Sequence, residues 1–218
     1  MLIIFDWDGT LSDSADKITL CMQQAADALG LPVLADDKIK NIIGLGLPEA
    51  IATLYPEIDQ GDIGAMRDEY ARHFVSSDEI PSPLFPYVAN TLERLKTEGH
   101  TLAVATGKSR KGLNRVFGKS EVSSLFDASR CADETASKPH PKMLYELLSE
   151  FRAPVDRAVM VGDTEYDMEM AVRANMTRVA VTYGAHDVSR LRNFEPALCV
   201  DRLDQMLDWI EGGLNKST

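Results

Sequence analysis

Four short segments of this 218-residue chain carry residue types that do chemistry. They are Asp6-Trp7-Asp8-Gly9-Thr10, Thr106-Gly107-Lys108-Ser109, Lys138 just ahead of Pro139, and Gly162-Asp163-Thr164-Glu165-Tyr166-Asp167. Brought to one place, Asp6, Asp8, Asp163 and Asp167 supply carboxylates, Thr106 a hydroxyl and Lys138 an ammonium. Carboxylates held together repel and raise one another's pKa, unless a hard divalent cation such as Mg²⁺ neutralises them through oxygen ligands. With that cation, the Lys138 ammonium and backbone N–H groups in place, a dianionic phosphate can enter an acid-rich pocket. A carboxylate that attacks phosphorus gives an acyl phosphate, which water can hydrolyse, so one difficult displacement becomes two easier ones. A second carboxylate two residues on can protonate the departing alkoxide and later deprotonate that water. Gly9 lets the backbone turn sharply with no side chain in the way.

Such a set needs a scaffold that delivers each segment to one rim. Leu2 to Phe5 is a continuous apolar run with β-branched residues, the pattern of a strand buried on both faces. Similar runs at 101–106, 158–161, 178–182 and 197–200 predict further strands. Between them, apolar residues at helical spacing predict helices around Val88 to Leu95, Leu113 to Phe117, Met143 to Phe151, Met168 to Val172 and Leu203 to Ile210. Gly212-Gly213 is expected to close the last of these. The helix after Lys138 is expected to begin near Pro139. Strict alternation predicts an α/β fold, a doubly wound, Rossmann-like parallel sheet, in which ligands bind at the carboxyl ends of strands where strand order reverses.

One stretch breaks the alternation. From about Ser14 to Ile80 the chain reads as helix after helix. The first carries Ile18, Met22, Ala25, Ala26 and Leu29 and stops at Gly30; the second ends at Gly44, the third starts with Pro48, and the fourth repeats Ile63, Met66, Tyr70 and Phe74. The expected organisation is a catalytic core of residues 1–14 and 82–218 interrupted by an all-helical cap of residues 15–81. Pro81, Pro83 and Pro86 stiffen the returning linker, and the tail 215–218 is expected to fray.

Composition narrows the partners. A net charge of −11, from 34 acids and 23 bases, disfavours a nucleic acid polymer or an anionic membrane surface, since both require a basic face. No run approaches a membrane span, and the Leu2 to Phe5 run is too short for a signal-peptide core. Cys21, Cys131 and Cys199 form no paired or metal-binding spacing, which fits a reducing cytoplasm. The four histidines are scattered and suggest no ligand set.

In order and spacing, the segment FDWDGTLSDS, the strand-terminal Thr106, SKPHP around Lys138 and GDTEYD resemble the four motifs of the haloacid dehalogenase-like hydrolases. Within that family the chain is similar to the phosphoglycolate phosphatase-like members, which carry a helical cap after the first motif. The resemblance runs from about residue 2 to 200. It implies a Mg²⁺-dependent phosphatase in which Asp6 is the nucleophile and Asp8 the general acid/base. Thr106, Gly107 and Lys138 would hold phosphate. Asp6, Asp8 through its backbone carbonyl, Asp163 and Asp167 would hold the metal. Many relatives have Asn where this chain has Gly107, so only its N–H can donate there. Asp8 argues against dehalogenase and phosphonate-cleaving activities, whose family members lack that acid.

Rival readings attach to the same residues. Asp6-x-Asp8-Gly9 alone can be a turn or a loose calcium loop, although an EF-hand places its Gly elsewhere. Asp163 can be a helix N-cap with Asp167 exposed beyond it. Gly44-Leu45-Gly46 is either an ordinary helix cap and turn or a close-approach loop over the substrate. Lys38, Lys40, Arg67 and Arg72 can offer a cation to a substrate carboxylate or simply lie on solvated helix faces, Met66, Tyr70 and Phe74 read as cap core, and Trp7 is expected to pack away from the acids. A sugar phosphomutase uses the same acids, and a phospho-acceptor signalling module or a silent binding protein is more remote. The expected partner is a small-molecule phosphate ester, and the chain a monomer or weak homodimer.

Overall fold

The computed structural model describes residues 1–77 and 82–214. In chain order its elements are β1 (Leu2–Phe5), α1 (Ala15–Ala28), α2 (Asp36–Lys40), α3 (Leu47–Leu54), α4 (Gln60–Ser76), α5 (Val88–Thr97), β2 (Thr101–Thr106), α6 (Arg110–Phe117), β3 (Ala128–Cys131), α7 (Lys142–Phe151), β4 (Ala158–Gly162), α8 (Glu165–Arg173), β5 (Thr177–Val181), α9 (Val188–Arg192), β6 (Leu198–Val200) and α10 (Gln205–Leu214). The six strands form one parallel sheet in the order β3-β2-β1-β4-β5-β6. Chain order reverses beside β1, so the residues that leave it enter the crevice where such sheets bind ligands.

The two-residue period of β1 splits its side chains between two cores. Ile3 and Phe5 join the apolar faces of α5, α6 and α10 through Val88, Leu92, Leu95, Leu113, Met206 and Ile210. Leu2 and Ile4 join Met143, Leu144 and Leu147 of α7 and Met170 and Ala171 of α8. An apolar run without alternation is what a strand covered on both faces requires. Register then fixes the strand ends: Phe5 lies opposite both Val104 and Val161, and the Asp6 N–H donates to the Val161 carbonyl at 3.0 Å.

Helices α1 to α4 have an apolar core of their own, built from Met22, Ala25 and Ala26, Ile39, Ala50 and Ile51, and Ile63 and Met66. The chain enters and leaves this helical insertion side by side. Asp13 N–H donates to the Pro83 carbonyl at 2.8 Å and Phe85 N–H to the Leu11 carbonyl at 3.0 Å. Elsewhere the insertion is tied down through Asn41, whose carbonyl accepts from Tyr166 Oη at 3.0 Å and from His186 Nε2 at 3.2 Å. Glu165 N–H donates to His186 Nδ1, which leaves Nε2 as the protonated nitrogen. Arg190 Nη1 also reaches Asn41 Oδ1 at 2.6 Å.

Several boundaries differ from expectation. Strand β3 and the five-residue α9 lack a readable apolar pattern; β3 sits at the sheet edge with Ser129 and Arg130 on it. Helix α2 stops at Lys40, and turns cover the four residues to Gly44. Helix α7 begins at Lys142 rather than near Pro139, because the SKPHP segment forms a turn closed by His140 N–H on the Ser137 carbonyl. Helix α10 continues through Gly212-Gly213 to Leu214; glycine costs about 1 kcal/mol in a helix and does not forbid it. Residues 78–81, which carry the end of the expected cap and Pro81, and the tail 215–218 lie outside the described residues.

Because Ile4 is wholly buried in the strand that carries Asp6, Ile4→Ala is expected to lower unfolding free energy by about 2–5 kcal/mol. Urea unfolding followed by circular dichroism measures it, and a loss below about 1 kcal/mol contradicts the packing described.

Candidate active site

Asp6 stands one residue past β1 and is 1% exposed. Its Oδ1 accepts from the Trp7 N–H at 2.7 Å and lies 2.7 Å from Lys138 Nζ. Its Oδ2 is buried and has no hydrogen-bond partner among the described residues. Lys138, equally buried, also lies 2.7 Å from Asp167 Oδ1. Each further carboxylate is aimed by groups from its own loop or the next. Thr10 Oγ1 donates to Asp163 Oδ1 at 2.7 Å and Ala185 N–H to Asp163 Oδ2 at 2.8 Å. Asp167 Oδ2 accepts from Thr164 N–H and Oγ1 at 3.1 and 2.6 Å, a capping box at the start of α8. The N-cap is therefore Thr164 and not Asp163, and Asp167 is wholly buried rather than exposed.

One oxygen each from Asp6, Asp163 and Asp167 lies within 4.8 Å of the others. Burial pushes the Asp6 carboxyl well above the usual range; Lys138 pulls it back, and the charges of Asp167 and Asp163 push it further up. Burial, then the charge of Asp167, pushes Asp163 up to about 7 against the Ala185 and Thr10 hydrogen bonds. Burial opposes the Lys138 ammonium, yet Asp167 and Asp6 more than offset it and raise its pKa. Three acids against one base leave negative charge unbalanced where water is excluded. A hard divalent cation fits that donor set, since all the inward atoms are carboxylate oxygens and Asp6 Oδ2 otherwise carries an unmet desolvation cost.

Asp8 lies apart from this cluster. Between it and Asp6 the chain packs inward at Trp7, whose ring sits 5.1 Å from Phe117 and 6.3 Å from Phe126. Past it, Gly9 has φ +81°, and a Cβ there would fall 2.2 Å from Asp163 Oδ2. Only glycine permits that approach. Asp8 Oδ1 accepts from Ser14 Oγ at 2.6 Å, and Oδ2 lies 2.9 Å from Lys108 Nζ. It lines a cleft of about 260 Å³ with Lys17, Phe74, Lys108, Arg115 and Lys119.

Thr106 is buried at the carboxyl end of β2, where its Oγ1 accepts from the Lys108 N–H at 3.2 Å. Gly107 lies directly beneath the loop between α2 and α3; a Cβ on it would meet the Leu45 carbonyl at 2.3 Å and that of Gly44 at 2.6 Å. Gly44 faces Thr164, and Gly46 N–H donates to Ser137 Oγ at 2.8 Å. Gly44-Leu45-Gly46 is thus seated on the loops that carry the second, third and fourth segments.

Lys38, Lys40, Arg67 and Arg72 lie elsewhere, on solvated surfaces, the last three paired with Asp16, Asp68 and Glu69. Among the described residues, the cations that face the cleft are Lys17, Lys108, Arg115 and Lys119, none of which stood out as a site residue in the motifs. Phe74, expected in the cap core, faces the same cleft. A signal existed for two of them: Lys108 lies inside the second segment, and Lys17 falls one helical turn after Ser14.

The family model for haloacid dehalogenase-like hydrolases matches residues 3–181. The chain is 34% identical over 211 residues to the "Probable phosphatase IndB" of Dickeya dadantii, covering 94% of this chain and 91% of the relative. It is 28% identical to a phosphoglycolate phosphatase of Vibrio cholerae, with 95% of each chain covered. In structure it is similar to a Bacteroides fragilis protein described as a haloacid dehalogenase-like hydrolase, with a TM-score of 0.88 at 25% identity, covering 94% of this chain and 98% of the other.

The raised pKa of Asp163 has a signed consequence. The folded, cation-free protein holds that proton more tightly than the unfolded chain, so this group's contribution to stability is present at low pH. It is lost as pH rises from about 4, the ordinary carboxylate value, through about 7. A divalent cation takes only the ionised acids, so its stabilisation grows over the same window. At about a hundredfold excess over Kd, Mg²⁺ should add about 2.7 kcal/mol at pH 8, or about 5–10 °C in Tm, and clearly less at pH 5. Thermal melts with Mg²⁺ and with EDTA at both pH values test this; an equal or larger gain at pH 5 contradicts it.

Proposed function

The chain belongs to the haloacid dehalogenase-like hydrolase family, and from that premise we propose that it is a Mg²⁺-dependent phosphatase acting on a small, phosphoglycolate-like phosphate monoester. The observation that carries this reading is the buried Asp6, one oxygen without a partner, beside Asp163, Asp167 and Lys138 at the reversal point of a parallel sheet. Its phosphatase-named relatives support it.

In the first step an Asp6 carboxylate oxygen forms a bond to phosphorus as the ester P–O bond breaks, and Asp8 gives its proton to the departing alkoxide. In the second, Asp8 takes a proton from water as that water attacks phospho-Asp6, releasing inorganic phosphate and restoring the free carboxylate. Lys138, the Thr106 hydroxyl and the Gly107 N–H hold the phosphoryl oxygens. Asp6, Asp163, Asp167 and the Asp8 backbone carbonyl would hold Mg²⁺. When bound, it neutralises the approaching anions and the charge that grows on the phosphoryl group.

Residues 15–81 serve as a lid on the core of residues 1–14 and 82–218. In this reading the loop Gly44-Leu45-Gly46, seated on Gly107, shuts water out during the first step. The three cysteines carry no disulfide, in keeping with a cytoplasmic enzyme.

The test is turnover by Asp6 and Asp8 variants. Asp6→Asn should abolish Mg²⁺-dependent hydrolysis of both p-nitrophenyl phosphate and alkyl phosphates. Asp8→Asn should lower kcat on an alkyl phosphate by about 10²–10⁴, and by less on p-nitrophenyl phosphate, whose leaving group departs without a proton. Near-normal turnover by Asp6→Asn excludes the assignment. Isomerisation of a sugar phosphate without phosphate release would identify a mutase instead.

A further inference from the structure

We propose that the loop from Asn41 to Gly46 is a positioning element for the cation site, so that its seating on the core and the binding of a divalent cation favour one another. The inference rests on the Mg²⁺-dependent reading above and adds to it a coupling between the helical insertion and the metal.

The six residues between α2 and α3 touch the supports of three of the four charged groups in the buried cluster. Gly46 N–H donates to Ser137 Oγ at 2.8 Å, and Ser137 stands next to Lys138 in the chain and donates to its carbonyl at 3.1 Å. Gly44 presses on Thr164: a Cβ there would fall 2.9 Å from the same Oγ1 that donates to Asp167 Oδ2. Ile43 is buried in one apolar cluster with Ala185, whose N–H donates to Asp163 Oδ2 at 2.8 Å. Lys138, Asp167 and Asp163 are thus each backed, one residue out, by the same loop.

Asn41 fastens that loop. Its carbonyl accepts from Tyr166 Oη at 3.0 Å and from His186 Nε2 at 3.2 Å, and its Oδ1 accepts from Arg190 Nη1 at 2.6 Å. Two of these donors belong to the segments that aim the metal acids, since Tyr166 lies between Asp163 and Asp167 in the chain and His186 follows Ala185. Arg190 in turn pairs with Glu165 Oε1 at 2.5 Å, and Glu165 N–H donates to His186 Nδ1 at 3.1 Å, which joins the two segments to each other. The rings of Tyr166 and His186 meet edge to face with centroids 5.4 Å apart. Asn41 is itself exposed, so these bonds fasten a surface loop and fill no core.

Asp163 and Asp167 repel one another, and holding both in place requires Thr164 and Ala185 to stay where they are. With the loop seated, these supports are packed from the insertion side; with it lifted, they lose that packing and the acids are freer to part. Cation binding draws the same acids together and steadies the surface on which the loop sits. Two events that stabilise one arrangement of the same residues are linked, and the linkage is reciprocal: the factor by which seating raises cation affinity is the factor by which the cation raises seating. Groups that orient metal ligands change affinity by about 10–100-fold. The loop stands one layer further out, so a factor of about five, the lower end of usual couplings, is expected.

Gly46 N–H is the reporter, because its acceptor lies on the core and its exchange with deuterium requires the loop to lift from Ser137. In the wild type at neutral pH, saturating Mg²⁺ should slow that exchange about fivefold or more. Asn41→Ala and Tyr166→Phe, which each remove one fastening, should shrink the factor. The amides of β1 report unfolding of the whole chain; if Mg²⁺ slows Gly46 and β1 by one common factor, the loop has no opening of its own for the cation to bias and the proposal fails. Mg²⁺ binding detected by calorimetry with Gly46 exchange unchanged overturns the proposal and leaves the phosphatase reading standing, and so does a slowing that is undiminished in both variants. Absence of any Mg²⁺ binding removes the metal reading and the proposal together.

Discussion

Three carboxylates and one ammonium share a space from which water is excluded, and the rest of the architecture can be understood as the apparatus that holds them there. Buried charge is costly even when paired, and here the pairing is incomplete: Lys138 meets Asp6 and Asp167 at 2.7 Å, while Asp163 relies on Thr10 and the Ala185 N–H. Replacing such a cluster by apolar residues of similar volume would be neutral or stabilising in many proteins. The cluster therefore makes little sense as a stabilising device. It fits the proposed preorganised cation site, whose acids hold protons more tightly than usual in the cation-free fold.

Holding like charges in place requires rigid supports, and the parallel sheet supplies them. Its central strand is covered on both faces, so Asp6 projects from a segment whose residues are all buried. The neighbouring strand β4 ends beside it in register and hands on to Asp163 and to the capping box that orients Asp167. Thr10, from the first loop, reaches across to Asp163, and Tyr183, after β5, steadies Thr10 by donating to its carbonyl at 2.9 Å. The hydrogen bonds that aim Asp163 thus come from the loops of two other strands, while Asp6 and Asp167 are aimed from their own. A shift in the register of one strand would misdirect more than one of the acids.

This division explains what could be read from the chain alone. The acids were legible because each sits in a short contiguous segment that follows an apolar run, and because a strand covered on both faces has an unmistakable composition; Lys138 follows no such run and stood out only as a member of the four-motif set. Strand β3 was not legible. It lies at the edge, and its Arg130 turns to Glu146 and Glu150 of the α7 helix instead of joining an apolar face. Helix α9 is too short to show a period. The cations of the cleft were hidden for another reason: a lysine on a helix is by default solvated, and only the folded chain reveals that Lys17, near the first motif, and Lys108, in the second, converge on Phe74. Gly107 likewise reads as a missing side chain in sequence. In the fold it is the space that the Leu45 carbonyl occupies.

Net charge and local charge here point in opposite directions, and the geometry shows how both hold. An acidic protein repels a small anion at long range, but that repulsion is screened beyond about 8–10 Å at physiological salt. Among the described residues the cleft is lined by Lys17, Lys108, Arg115 and Lys119 beside Asp8 and Glu121, at a range where screening is weaker. In the proposed reaction the acids that a phosphate meets first are those that a bound cation would neutralise. The two halves of such a site can change independently. Lys17 and Phe74 come from the helical insertion, whereas Asp6, Asp163, Asp167 and Lys138 belong to the part of the chain that carries the sheet. Under the proposed function a reaction fixed by strand ends and a selectivity carried by the insertion would follow from the same topology.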